Sequence, residues 1–198
     1  MKGFYIAVED QLSNAVAVKI LSHYHPTVPI VASIVTNGNQ ELKKKIESLI
    51  SVARILPVLV LTDLDQISCA PRLIESWIHF KNIPAQFFFR VVVKEIESWL
   101  LADKEGFSGF IGSPLTMIPN NVETLDSKRA LLQLTQRYGT RSLKADILPA
   151  RGSPSKVGIG YNQCLIKFVN DTWSVESAIQ NSQSLARACR RIEEYSAL

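Results

Sequence analysis

The stretch PVLVLTDLDQ, residues 57–66, decides how the rest of the chain is read. Its first six residues form an unbroken apolar, β-branched run with no alternation. That is the pattern of a strand buried on both faces, and such strands belong to parallel sheets covered by helices. Two acids, Asp63 and Asp65, follow at once. The same succession, an apolar run and then acids, recurs at Phe4–Val8 before Glu9-Asp10 and at Gln86–Val93 before Glu95 and Glu97. Side chains two apart in extended chain point the same way, so Asp63 and Asp65 are expected to converge.

Between these runs the period becomes helical. Val16, Ile20 and Tyr24 share one face of a segment over 13–24, and Leu42, Ile46, Leu49 and Ile50 share one over 41–53. Pro71 opens a helix expected over Pro71–Phe80, and a further one is expected over Glu95–Ala102. Pro29–Thr36 reads as another strand, closed by the turn pair Asn37-Gly38. Strands alternating with helices predict an α/β domain over residues 1–103, an open parallel sheet of about four strands flanked by helices.

Beyond Asp103 the pattern changes. Gly106, Gly109, Gly112, Pro114 and Pro119 predict a loop-rich crossing over 104–126. After it only helical stretches are expected, over 127–138, 161–173, 175–180 and 184–194, with a Gly/Ser/Pro loop at 151–161. Residues 104–198 are therefore read as a loop-rich crossing and a basic helical cap packed on the sheet.

Composition narrows the function classes. Hydrophobic residues make up 46% of the 198, enough for a substantial core. No apolar run approaches the roughly 18 residues of a membrane span. The first residues turn acidic too soon for a secretory signal, so a soluble cytoplasmic protein is expected. Cys69, Cys164 and Cys189 lie far apart and make neither a disulfide framework nor a zinc cluster. His23 and His25 lie two apart at a helix end and do not face each other, so they carry no metal reading.

Charge is unevenly spread. Residues 127–191 carry eleven Lys/Arg against three acids, although the whole chain is only +4. Carboxylates at one end and cations at the other suit a protein that holds a metal and neutralises a phosphate backbone. Lys128, Arg129, Arg141 and Lys144 are candidate nucleic-acid backbone contacts. Arg187, Arg190 and Arg191 share a helix at spacings of three and four, as either a phosphate stripe or an ordinary charged face.

Ligands of open parallel sheets bind beyond the carboxyl ends of the strands, where Glu9, Asp63, Asp65, Glu95 and Glu97 gather. Clustered carboxylates raise one another's pKa unless a cation intervenes. Oxygen donors without nearby His or Cys favour Mg²⁺ or Mn²⁺, which can activate water and stabilise phosphoryl charge. Glu95 has a second reading, as a charge at the start of its helix. Lys156 lies in a Gly-flanked loop (SPSKVGIGY) that matches no P-loop pattern; a phosphate contact and a plain surface lysine both stay open.

A Glu closing the first strand and a DxD closing the third resemble the Toprim signature of topoisomerases, primases and OLD-type nucleases. The chain is more fully similar to the Toprim-related bacterial DUF4276 family. The stretches that carry this are VEDQL at 8–12, LVLTDLDQ at 59–66, FRVVVKEIESWLLAD at 89–103, GIGYNQCLIKF at 158–168 and SQSLARACRRI at 182–192. The resemblance implies a Toprim-like fold with Glu9, Asp63 and Asp65 as metal-binding or catalytic residues, and Glu95 and Glu97 as additional acids. It implies Mg²⁺- or Mn²⁺-dependent hydrolysis of DNA or RNA; Glu97 is among the catalytic candidates, and Lys156 joins them from its place in the Gly-flanked loop. It also implies an antiviral setting with an AAA/ABC-type ATPase encoded nearby, and leaves a homo-oligomer open. Asp10 departs from the glycine common after the motif Glu. No topoisomerase-type tyrosine nucleophile is identifiable, so attack by metal-activated water is expected. The alternative is a non-catalytic Toprim scaffold that docks nucleic acid or an ATPase.

Overall fold

Four strands, β1 (Phe4–Val8), β2 (Ile30–Val35), β3 (Val58–Asp63) and β4 (Phe87–Val92), form a parallel sheet of order β2-β1-β3-β4. They belong to a computed structural model that describes residues 3–79 and 81–195. Val58–Thr62 is buried throughout, as the unbroken apolar run requires of a central strand.

Helices cover both faces. On one side lie α2 (Asn39–Lys44), α3 (Ile46–Val52) and α4 (Ala70–Trp77), which bury Leu42, Ile46, Leu49, Leu73 and Trp77 against Val58, Val60 and Phe89. The single helix expected over 41–53 is thus two, broken at Lys45. The helix that Pro71 opens ends at Trp77, and its expected terminus at Phe80 lies outside the described residues. On the other face α1 (Gln11–Tyr24) and α5 (Glu97–Ala102) pack with everything that follows.

The expectation of a loop-rich crossing over 104–126 is corrected by α6 (Lys104–Ile111). Its glycines are part of the helix's construction. Gly106 sits where an added Cβ would lie 2.1 Å from Asp103 Oδ2, and the Asp103 carboxylate caps the helix by accepting from the Gly106 N–H at 3.1 Å. Gly112 ends it in the left-handed conformation, φ 72°. A second unexpected helix, α8 (Arg141–Ile147), follows α7 (Ser127–Tyr138) and is capped by the Thr140 hydroxyl. The remaining helices, α9 (Tyr161–Asp171), α10 (Val175–Ile179) and α11 (Gln183–Glu193), match the helical stretches expected there.

The C-terminal half shares a core with the sheet. Phe107, Leu131, Ile147, Leu165, Phe168, Val175 and Leu185 join Phe4, Ile6, Leu59 and Phe88 in one apolar cluster. All six residues of α5 are buried, and they tie the halves together by polar bonds as well. The Trp99 indole donates to Ser184 Oγ at 2.8 Å, and the Trp173 indole donates to the Trp99 carbonyl at 3.1 Å. Asp103 Oδ2 accepts from the Ser174 N–H at 2.8 Å. Among the described residues no helix is long and apolar enough to cross a membrane, and all three cysteines are free thiols.

We propose that the boundary near Asp103 divides the architecture but not the folding. Residues 1–103 expressed alone are expected to lack a cooperative thermal transition by circular dichroism. Trp99→Ala in the full chain should cost about 3–5 kcal/mol in urea unfolding, the range for a buried aromatic.

Candidate functional site

The strand order creates the site. From β1 the chain crosses to β2 on one side and then returns past it to β3 on the other. The carboxyl ends of β1 and β3 therefore border the crevice where the connections diverge, the usual ligand position in open α/β sheets. Asp10 caps α1, accepting from the Ser13 N–H at 2.7 Å, which turns the chain sharply after Glu9. This is what the departure from glycine at Asp10 accomplishes.

Glu9 is aimed across the crevice. Its Oε1 accepts from the Thr62 hydroxyl and, at 3.0 Å, from the Asp63 N–H. Burial raises its pKa, the two hydrogen bonds draw it back, and the net effect is upward. Asp63, last residue of β3, has Oδ1 buried without a partner. Burial, then the charges of Glu97 and Glu9, hold its carboxyl well above the usual range. From β4 comes Glu97, 2% exposed at the first position of α5. Its Oε1 accepts from the Tyr161 hydroxyl at 2.6 Å and faces Lys128 Nζ at 3.2 Å, while Oε2 is buried with no partner.

Two cap residues thus reach into the acid cluster. Burial alone would lower the Lys128 ammonium, but Glu97 and Glu95 override that and raise it. Burial and Glu97 push the Tyr161 phenol far up, so it stays a hydrogen-bond donor. Glu95 Oε1 accepts from the Lys128 backbone N–H at 2.8 Å, which makes it a cap for the first turn of α7. Its charge serves a helix N-terminus, but that of α7 and not of its own helix. Burial raises its pKa as well.

The remaining candidates differ in where the fold places them. Asp65 does not continue the alternation of β3: the strand ends at Asp63, Asp65 has φ 51°, and its exposed carboxylate accepts from Asn39 Nδ2 at 3.0 Å. Lys128 pairs with Glu97 inside the acid cluster while still lining the cleft. Arg187, Arg190 and Arg191 follow β4 away from the crevice: Ser184 touches the Val93 N–H, whereas Arg191 donates to the Ala85 carbonyl at 3.0 Å. Arg141 and Lys144, on α8, lie outside the cleft lining. His23 pairs with Glu176 and His25 bonds the Ile192 carbonyl.

A cleft of about 690 Å³ opens beside the acids. Asp65, Glu95, Lys94, Lys128, Arg129 and Lys156 line it, so Lys156 shares a cleft with Asp65 and Glu95. Thr62, Lys94 and Tyr161 were not singled out from sequence. Thr62 directly precedes Asp63 on the same strand, a signal that was available. Tyr161 carries none, because its partner lies 64 residues away.

Among the described residues no three Asp, Glu, His or Cys side chains converge as a ready coordination shell. The donor chemistry nevertheless fits a hard divalent cation. Asp63 Oδ1 and Glu97 Oε2 are buried carboxylate oxygens with no hydrogen bond, which is costly without a positive partner. All nearby acids offer oxygen only, as Mg²⁺ and Mn²⁺ prefer.

The sheet order, its helical layers and the acids at the switch point define a Toprim-like α/β fold. The structure is similar to the C-terminal region of the Burkholderia pseudomallei OLD protein, with a TM-score of 0.51, 14% identity and 98% of each chain covered. At that identity the likeness is one of fold. No family model matches the chain, and no curated protein matches it. The comparisons thus bear on the fold and not on the DUF4276 resemblance.

A carboxyl whose pKa is raised on folding holds its proton more tightly in the folded state. Stability then falls as pH rises from the unfolded carboxylate range through the raised folded value. Glu9, Asp63 and Glu95 all act in this direction. In EDTA the melting temperature is expected to be higher at pH about 5.5 than at about 8. Asp63→Asn should raise stability at the higher pH by about 1 kcal/mol, by removing a buried charge. Mn²⁺ should stabilise the wild type and leave the variant unmoved.

Proposed function

We propose that the chain is a metal-dependent nuclease that hydrolyses phosphodiester bonds of nucleic acid at the crevice between β1 and β3. The observation that carries this reading is the pair of buried, unpartnered oxygens of Asp63 and Glu97 beside a cleft walled by Lys94, Arg129 and Lys156. Asp63 and Glu97 would hold Mg²⁺ or Mn²⁺ with Glu9, and Asp65 and Glu95 stand at the margin. A divalent ion there supplies an activated water and charge stabilisation at the phosphoryl oxygens.

The chain's own residues do the rest. Glu9, with its Oε1 held by the Thr62 hydroxyl and the Asp63 N–H, presents a fixed carboxylate at the crevice for the ion and its attacking water. Lys128 balances the charge of Glu97, and Tyr161 holds the carboxylate in place. Arg129 and Lys156 hold backbone phosphates along the cleft. An effector role in an antiviral system, together with an ATPase, accords with the resemblance of the motifs to defence-associated relatives.

A second reading, a non-catalytic scaffold that docks nucleic acid or an ATPase, draws on the lack of a three-residue metal cage among the described residues. It predicts that Asp63→Asn with Asp65→Asn leaves biological activity intact.

Purified protein with Mn²⁺ or Mg²⁺, alone and with its ATPase neighbour, is expected to cut DNA or RNA. Glu9→Ala or Asp63→Ala should slow cutting by about 10²–10⁴-fold, the scale of a positioned acid–base group. If no preparation cuts any nucleic acid in a way these variants abolish, the reading fails. In binding assays, Arg129→Ala and Lys156→Ala should each flatten the slope of log affinity against log salt by about one unit.

A further inference from the structure

The outer edge of β4 is the unexplained feature of the sheet. β4 pairs with β3 alone, and the N–H groups of Leu64 and Asp65 bond inward to the Val92 and Lys94 carbonyls, both at 2.9 Å. By strand alternation the N–H and C=O groups of Phe89, Val91 and Val93 point outward. The Val93 N–H is taken by Ser184 Oγ at 3.4 Å. Phe89 and Val91 instead lie along a groove of about 550 Å³. Pro71 and Ile74 of α4 form one wall, and Arg187 of α11 stands on the other.

An open, apolar edge strand invites pairing, and proteins usually blunt one with lysine, proline or a bulge. β4 has no proline, and its register with β3 is unbroken. Its one charge is Arg90, whose Nε is buried with no hydrogen-bond partner. Burial and the neighbouring Arg191 guanidinium lower Arg90 from arginine's usual value, and the Glu194 carboxylate offsets this only in part. Among the described residues no carboxylate makes an ion pair with Arg90 or Arg187. Hydrogen-bonding edge, apolar wall and two arginines without an ion-pair partner among the described residues together specify the occupant.

We propose that the β4 edge is a docking site for an acidic, extended segment of a partner protein, which adds to the sheet as a fifth strand. The segment's backbone pairs with Phe89 and Val91, its apolar side chains lie on Pro71 and Ile74, and its carboxylates meet Arg90 and Arg187. Nucleic acid fits this groove less well, because it offers no backbone partner for a strand edge and no apolar side chains for the α4 wall. The proposal does not depend on nuclease activity.

The test uses the full chain and a fluorescein-labelled peptide of roughly eight residues, about one strand long, alternating Glu with Val and Thr. A peptide with Lys in place of Glu and a short oligothymidylate serve as the other probes. The acidic peptide is expected to bind and to slow hydrogen exchange at the Phe89 and Val91 amides. Arg187→Glu, an exposed position on α11, should weaken binding at least about tenfold without lowering the melting temperature. The proposal is overturned if the acidic peptide does not bind, if the Lys peptide binds equally well, or if oligothymidylate protects these amides instead.

Discussion

The contact on which the site depends is the one that buries Glu97. A carboxylate only 2% exposed costs several kcal/mol unless its charge and lone pairs are met. Tyr161 and Lys128 meet them on one oxygen, and both come from helices of the C-terminal half. Glu95 answers in the other direction by capping α7, the helix that carries Lys128. Sheet and cap are thereby bound through the same acids that face the crevice. A helical layer that only shielded the sheet would not need to place a lysine and a tyrosine there.

This arrangement divides the labour among five carboxylates that look equivalent in the primary structure. Glu9 is positioned by hydrogen bonds from β3, Asp63 and Glu97 each keep a buried unpartnered oxygen, and Glu95 is committed to a helix end. Asp65 stands in the open, beside Asn39. Burial and the charges of neighbouring acids raise both Glu9 and Asp63, so the cluster is electrostatically primed for a cation. Lys128 supplies part of that compensation from the protein itself.

Much of the fold was legible because its signals are local. The unbroken run of β3 announced a doubly covered parallel strand, and acids at three strand ends located the crevice. The misreadings arose where a local rule met a tertiary fact. Glycines suggested a loop over 104–126, yet Gly106 makes room for the Asp103 cap and Gly112 ends α6. The rule that alternate residues align failed for Asp65 because the strand had already ended. α8 begins from a Thr140 cap but shows too short an apolar period to stand out. The pairing of Lys128 with Glu97 is invisible in the sequence, because Glu97 lies across the fold. Pairings between distant elements are the part of a site that a sequence conceals most fully.

The proposed function requires a divalent cation held by Glu9, Asp63 and Glu97 in the crevice between β1 and β3. Anomalous diffraction from a crystal soaked in Mn²⁺ tests it directly. A peak is expected within coordination distance of Asp63 Oδ1 and Glu97 Oε2, about 2.0–2.4 Å for a hard divalent ion. A well-occupied Mn²⁺ elsewhere on the chain, with no peak between these carboxylates, would contradict it.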